Sequence, residues 1–405
     1  MARCCFATIR LAVLLVLVAV QAQAQARNQE ALTRLQRAAA FIAAHDLARA
    51  ETELSAILNN HPAEARALNL LGVVRAQQGR AADAELLFRQ ALAAQPQLVG
   101  AHVNLGLLCQ AQQQHEAAAA AFEAALKIDA TRRDALTGLI YSLRQAAAAA
   151  LQAGEREKAL SLLLRAKTAV PGDADVLFEF GMTALSLSLD EDAAQALAMA
   201  HEKRPDEPKF IYALARARLA LSALPEAVEL FRRYTALRPQ DATGHYGLGY
   251  ALALLRRNEE AAAAFKRSLE LRPEQTESPW QLGLLADAAG NLDEAAAWFE
   301  RVLARAPDHT GALLGAGLVH FKRKQYDQAR SVLERVIALQ PSLAKAHYYL
   351  SLTCTRLGDK VTAAREAERA AQLEREEKNQ RRVVLRLLEN GPEIHPPQNA
   401  APEKP

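Results

Sequence analysis

The stretch NEEAAAAFKRSLELRP, residues 258–273, decides the fold because the chain contains it in several related forms. The segments ADAELLFRQALAAQP (82–96) and LDEAAAWFERVLARAP (292–307) share its outline. In each of the three, an alanine is followed four residues later by a phenylalanine, and eight residues after that by a proline. A pattern that recurs in this way indicates a repeated structural unit.

The prolines that close these segments give the length of the unit. Six of them recur at a constant 34-residue interval: Pro171, Pro205, Pro239, Pro273, Pro307 and Pro341. Pro62 and Pro96 are separated by the same interval, and the distance from Pro96 to Pro171 corresponds to two such periods with a seven-residue excess. Proline ends a helix because it lacks the N–H and its ring clashes with the preceding turn. The sequence therefore predicts an array of helical units.

The positions inside one unit resemble the tetratricopeptide repeat. Residues 242–275 carry an early Leu248-Gly249, a central Ala261, Phe265 four residues later and the closing Pro273. That is the order of the tetratricopeptide signature. The resemblance covers residues 31–377, and it implies an all-α fold, a right-handed α-solenoid of helix–turn–helix units.

We place ten units in residues 27–377. They start at Ala31, Ala65, Val99, Arg133, Ala174, Pro208, Ala242, Thr276, Thr310 and Ala344. The fourth unit contains a seven-residue insertion within LIYSLRQAAAAALQAG (139–154). Seven residues are almost two helical turns, so the first helix of this unit is expected to project by about 10 Å.

Small residues at fixed positions are expected to bring the two helices of a unit close together. Glycines occupy one place on the first helix, where a side chain would hold the helices apart: Gly72, Gly106, Gly181, Gly249, Gly283 and Gly317. Alanines such as Ala84 and Ala261 are expected to be their small partners on the second helix.

Both ends of the chain differ from the array. Arg3 and Arg10, the apolar run LAVLLVLVAV (11–20) and QAQAQA (21–26) have the order of a secretory signal peptide, so residues 1–26 are predicted to be cleaved near Ala24 or Ala26. Ten apolar residues are fewer than the roughly 20 of a membrane span. We therefore expect an exported protein in the periplasm or the extracellular space, with an uncleaved anchor as the alternative.

At the other end, residues 378–391 are predicted to form a helix that caps the last unit. Its covering residues are expected to be Val383, Val384, Leu387 and Leu388. Residues 392–405 contain five prolines, which favours a disordered tail.

The sequence shows no motif of catalysis or of cofactor binding, so we expect no enzyme, no cofactor and no metal site. His102, His245 and His347 occupy one place in three units, but whole repeats separate them, and packing roles are expected. Cys109 and Cys354 are expected to be buried free thiols. A formal net charge of +3 over 405 residues gives no reason to expect nucleic acid as a partner.

The tetratricopeptide resemblance implies that one stripe of the first helices lines a concave surface. We call these residues the first-helix stripe: Phe178, Met182, Tyr212, Tyr246, Tyr250, Trp280, Leu284, Leu314, Phe321 and Tyr348. Aromatic rings of this kind are common binding anchors. The alternative is that coiling of the array buries some of them against adjacent units.

The sequence therefore predicts a non-enzymatic scaffold outside the cytoplasm, which binds a segment of another exported protein on the concave surface. A first alternative is an accessory subunit of an envelope-assembly or polysaccharide-secretion machine. A second is glycan binding by the aromatic ladder. Lys209 and Arg216, on one helix beside the stripe, are placed to meet an acidic residue.

Overall fold

The computed structural model describes the backbone of residues 29–389 and the side chains of residues 29–378. This part of the chain consists of helices and turns, with no strand. It divides into two compact units, unit 1 up to Asp206 and unit 2 from Glu207. The predicted signal peptide (1–26) and tail (392–405) lie outside the described residues.

Twenty helices follow one another through the described backbone and pair as first and second helices of ten helix–turn–helix repeats. In unit 1 they are α1 (29–43), α2 (Leu47–Asn60), α3 (Ala65–Gln77), α4 (Ala81–Ala94), α5 (Val99–Ala111), α6 (His115–Ile128), α7 (Arg133–Gln152), α8 (Arg156–Ala169), α9 (Ala174–Ser186) and α10 (Asp190–Lys203). In unit 2 they are α11 (Pro208–Ala220), α12 (Leu224–Leu237), α13 (Ala242–Leu254), α14 (Asn258–Leu271), α15 (Glu277–Ala288), α16 (Leu292–Leu303), α17 (Thr310–Lys322), α18 (Tyr326–Leu339), α19 (Ala344–Leu357) and α20 (Lys360–Glu389). The predicted fold class, an all-α solenoid of helix–turn–helix repeats, is confirmed.

Each turn between a first and a second helix contains one residue in the left-handed region. Four of these residues are glycines, for which positive φ has no steric cost. The other six are not, and a left-handed conformation costs an L-residue about 1–2 kcal/mol. The ten are His45, Gly79, Gln113, Gly154, Ser188, Ser222, Arg256, Gly290, Lys324 and Gly358. The turn geometry is thus kept at every repeat, whichever residue is present.

A buried phenylalanine on the second helix joins one repeat to the next in several places. The Phe299 ring is fully buried. A Cβ built on Gly283, in its own repeat, would lie 2.6 Å from this ring, and one built on Gly315, in the following repeat, 2.5 Å from it. Phe122 lies in the same way between Gly106 and Gly138. The glycines are therefore needed for close packing, as predicted, but the group they face is a ring or a leucine rather than the expected alanine.

The seven extra residues of the fourth repeat lengthen its first helix. Helix α7 has 20 residues, whereas α5 and α9 have 13 each. The amide of Gln110 on α5 donates to the Gly138 carbonyl (3.0 Å) and to the Ser142 hydroxyl (2.8 Å). These bonds hold the first half of α7 against α5, so the insertion extends α7 at its far end.

Within each unit, the first helices form one layer and the second helices the other. Successive first helices contact each other at α3–α5, α5–α7, α11–α13, α15–α17 and α17–α19. Among the described residues, successive second helices contact each other far less. Because neighbours on the inner side of a curved stack approach more closely, the first-helix layer is the concave side of each unit.

The last second helix differs from the others in length and surface. Helix α20 runs without a break from Lys360 to Glu389, so residues 378–389 of the predicted cap continue α20. Ala367 is exposed at the place where other repeats carry a buried phenylalanine or leucine, such as Phe299 or Leu333. The last second helix therefore lacks the large buried side chain that the other second helices have at this position. The side chains of Val383, Val384, Leu387 and Leu388 lie outside the described residues.

Cys109 and Cys354 are buried free thiols, as the sequence predicts. Burial raises the pKa of both thiols above the usual value. Of the helices in residues 29–389, none is both long and apolar enough to cross a membrane.

Candidate partner-binding surface

Three members of the first-helix stripe in unit 2 are exposed on the concave layer. Tyr250 on α13 is 37% exposed, Leu284 on α15 is 39% exposed and Tyr348 on α19 is 48% exposed. Leu254, one turn beyond Tyr250, is 47% exposed. Large apolar side chains that remain accessible on one layer of the array can bind an apolar segment of a partner.

Other members of the stripe are packing residues. Tyr212 meets the rings of Phe231 and Tyr234, with centroids 5.8 and 5.1 Å away. Tyr246 lies 5.6 Å from the Phe265 ring. Burial raises the pKa of both phenols. The stripe therefore combines the two expected roles: some rings support the core while others face solvent.

Trp280, Leu314 and Phe321 belong to the packing group as well. The Trp280 indole covers Gly311 and lies 5.5 Å from the His309 ring. Its Nε1 is enclosed and has no hydrogen-bond partner within the described side chains. Leu314 packs against the core of the last repeats, and the Phe321 ring contacts Tyr349 at 5.9 Å.

The stripe in unit 1 consists of Phe178 and Met182 on α9, which are both partly buried. The sequence analysis missed Leu107 and Tyr141, each 51% exposed on a first helix of this unit. Leu107 and Tyr141 occupy the same position in their repeats as Tyr250 and Leu284 do in theirs. Steps of 34 residues connect these positions, except that the step across the fourth repeat is longer by the seven inserted residues.

The three histidines at one repeat position have a structural role. The Nε2 of His102 donates to the Pro96 carbonyl (2.9 Å), that of His245 to the Pro239 carbonyl (3.1 Å) and that of His347 to the Pro341 carbonyl (3.0 Å). Each histidine thus ties its helix to the proline that closes the preceding repeat. Within the described residues, no group of three or more His, Cys, Asp or Glu is placed to hold a metal ion.

Tyr234 and Asp241 form a polar contact that the sequence analysis did not identify. The Tyr234 hydroxyl donates to the Asp241 carboxylate, which also accepts the Thr243 backbone N–H at the start of α13 (2.9 Å). Burial and this hydrogen bond raise the pKa of Tyr234. The aspartate before a first helix is an N-cap signal that the sequence contains. The contact fixes the link between α12 and α13.

Family models describe the repeats directly. Models of the tetratricopeptide repeat match residues 35–99, 99–132, 212–276 and 286–352. The chain belongs to the tetratricopeptide-repeat family. Together these matches span more than half of it, in both units. A search of the curated proteins found no match.

Several solved structures have similar repeats. YrrB, described as a tetratricopeptide-repeat protein with an unusual peptide-binding site, is 24% identical, with 45% of this chain and 95% of YrrB covered and a TM-score of 0.39. A tetratricopeptide-repeat protein from Parabacteroides merdae is 16% identical, with 58% and 93% covered and a TM-score of 0.49. The Cut9–Hcn1 tetramer of APC/C gives 15% identity, 86% and 82% coverage and a TM-score of 0.46. The assignment of the repeats rests on the family models.

Proposed function

We propose that this tetratricopeptide-repeat protein is a non-enzymatic scaffold that binds a segment of a partner protein on the concave layer of unit 2. The observation that supports the proposal is the exposure of Tyr250, Leu254 and Leu284 on neighbouring first helices. The core of unit 2 contains Phe231 and Phe265, whereas these three side chains keep much of their surface accessible. A partner that covers them removes apolar area from water, which favours binding by about 25 cal/mol per Å².

The double variant Tyr250→Ala/Leu284→Ala is expected to weaken binding at least tenfold, because truncation of a central anchor typically costs about 2 kcal/mol or more. Partners are first captured on the wild-type protein and identified by mass spectrometry. The affinity of each purified partner is then measured for wild type and variant by calorimetry. Tyr250 and Leu284 are better probes than Tyr212 and Tyr246, whose truncation also removes core contacts.

A matched control lies on the second helices. Leu237 and Leu339 are 44% and 43% exposed on α12 and α18. Leu237→Ala/Leu339→Ala removes similar apolar area from the other layer and should leave the affinity unchanged. Equal weakening by both double variants would contradict binding on the concave layer.

Of the alternative functions, glycan binding has less support from the geometry. The largest ring of the stripe, Trp280, packs against Gly311 and His309 rather than standing open for a sugar. A role in an envelope-assembly or polysaccharide-secretion machine is one form of the scaffold function. It depends on export and on the identity of the partner.

We further propose that the protein is exported, which the charge and hydropathy order of residues 1–26 supports. When the full chain is produced in a bacterium, the mature protein should begin at Gln25 or Arg27 and be released with the periplasmic fraction. N-terminal sequencing measures this directly. Replacing three leucines of the run 11–20 by arginine should abolish processing. A mature protein that retains Met1 in the cytoplasm would contradict export.

A further inference from the structure

Unit 2 carries basic side chains beside the exposed apolar ones. On the first helices that hold Tyr212 and Tyr348, the exposed cations include Arg216, Lys345 and Arg356. None of these three has an ion-pair or hydrogen-bond partner among the described side chains. Arg216 lies one turn after Tyr212 on α11, and its charge acts on the Tyr212 phenol.

Several arginines on the second helices are paired with a glutamate one turn away: Arg232 with Glu229, Arg267 with Glu270 and Arg330 with Glu334. Arg257, the N-cap residue of α14, is paired with Glu260 in the same way. On the concave layer, Lys322 is paired across two first helices, with Asp287 at 2.6 Å. Within their helix bounds, the five first helices of unit 2 contain six lysines or arginines and two acids, Glu277 and Asp287, so this layer has an excess of positive charge.

These charges flank the apolar surface along the order of the helices. Arg216 belongs to α11, Tyr250, Leu254 and Leu284 to α13 and α15, and Lys345 and Arg356 to α19. Lys345 and Tyr348 border a cleft of about 600 Å³ whose other side is lined by Glu374, Glu376 and Glu377 of α20, so Lys345 already faces acidic residues. Arg356, near the other end of α19, does not line this cleft. A ligand that follows the concave layer would meet Arg216, then the apolar centre, then Arg356.

From this arrangement we propose that the segment bound by unit 2 is an extended peptide with acidic residues on both sides of an apolar centre. The proposal rests on the proposed function and adds the chemistry of the partner. The apolar centre covers Tyr250, Leu254 and Leu284, and the acidic flanks pair with Arg216 at one end and with Arg356 at the other. Charge-assisted hydrogen bonds of arginine to carboxylate supply specificity as well as affinity.

The test uses the full chain and three short fluorescein-labelled peptides of equal length. They share a Leu/Phe centre and differ in their flanks, which contain Asp/Glu, Asn/Gln or Lys/Arg. Fluorescence anisotropy at low salt should show the acidic peptide bound at least tenfold more tightly than the amide peptide. This advantage should shrink at high salt, because exposed charges are then screened.

Arg216→Gln should reduce the preference for the acidic peptide at least threefold. Lys266→Gln, an exposed lysine on the second helix α14, is the matched control and should leave the preference unchanged. Equal binding of the acidic and amide peptides, or tighter binding of the basic one, would overturn the proposed chemistry. If the peptides bind without a preference for acidic flanks but lose affinity for the Tyr250→Ala/Leu284→Ala variant, the proposed function stands and only the charge assignment fails.

Two further outcomes would decide against the proposal: displacement of the acidic peptide by a nucleic acid, and no binding of any of the three peptides. Displacement of the acidic peptide by a single-stranded oligonucleotide of equal charge, at equal concentration, would show a general polyanion site and overturn the assignment to a peptide. Binding of none of the three peptides would overturn the proposed chemistry and count against the proposed function too.

Discussion

Phe299→Ala is expected to lower the free energy of unfolding of unit 2 by about 3–5 kcal/mol, the usual cost of truncating a fully buried phenylalanine. The ring lies between Gly283 and Gly315 on two successive first helices, so its loss leaves a cavity that separates two repeats. Glycine leaves no side chain that can move in to fill it. Urea denaturation measures the change.

Tryptophan fluorescence reports this region selectively. The two tryptophans of the chain, Trp280 and Trp298, both pack against the cluster that contains Phe299. Val361→Ala is the control, because Val361 is 82% exposed and its truncation should change stability by less than about 0.5 kcal/mol. A loss below about 1 kcal/mol for Phe299→Ala, well under the usual range for such a truncation, would mean that the ring does not join the repeats.

The short distance between the Phe299 ring and Gly315 also predicts that substitutions at these two residues affect stability in a non-additive way. Gly315→Ala should destabilise the wild type, because a Cβ at this position would lie 2.5 Å from the Phe299 ring. In the Phe299→Ala background the added methyl group meets a cavity instead, so the same substitution should be neutral or stabilising. The double-mutant cycle separates this contact from general effects of alanine on helix propensity.

The repeat pattern explains why so much of the fold could be predicted from the sequence. Helices α11, α13 and α17 begin at Pro208, Ala242 and Thr310, the residues at which the 34-residue period starts those units. Proline, the small residues and the buried ring act within one helix pair or between adjacent pairs. A local pattern repeated many times therefore fixes the secondary structure and the order of packing.

The surface could not be predicted to the same extent, because exposure depends on neighbouring repeats. Tyr246 and Tyr250 lie one turn apart on α13 with their rings stacked at 6.4 Å, yet Tyr246 packs against Phe265 whereas Tyr250 is exposed. Their spacing in the sequence does not distinguish them. The residue type at Arg256 does not favour the left-handed conformation, and only its place, 34 residues before Gly290, indicates it.

The histidine contacts could have been found from the period alone. His102, His245 and His347 each follow a closing proline by six residues. The carbonyl of a residue just beyond a helix end requires a donor, and the first turn of the next helix lies close to it. In two other repeats an arginine serves this purpose: Arg305 donates to the Pro273 carbonyl and Arg335 to the Pro307 carbonyl.

Glu366→Gln is expected to destabilise the last repeat by about 1.5–3 kcal/mol at pH 7, the usual contribution of hydrogen bonds to a charged group, because it removes the carboxylate that both neighbours contact. His347 and Glu366 are both buried. The His347 Nδ1 lies 2.6 Å from Oε2 of Glu366, and the Arg365 Nε donates to Oε1 (3.0 Å). Because Glu366 belongs to α20 and His347 to α19, the substitution weakens the attachment of α20. Hydrogen exchange of the α20 amides measures that attachment.

The pH dependence of this effect follows from the carboxylate. Burial raises the pKa of Glu366, but the hydrogen bonds from His347 and Arg365 outweigh burial and bring the pKa below its usual value of 4.5. A carboxylate with a lowered pKa in the folded state stabilises the fold above its unfolded pKa, and this stabilisation disappears as the pH falls through the folded pKa. The difference between wild type and Glu366→Gln should therefore be full at pH 7 and shrink below about pH 4. Glu368→Gln, at an exposed acid two residues along α20, should show neither effect. If the difference at pH 3 equals that at pH 7, the ionised carboxylate of Glu366 is not what holds α20 in place, and the shape of the side chain is.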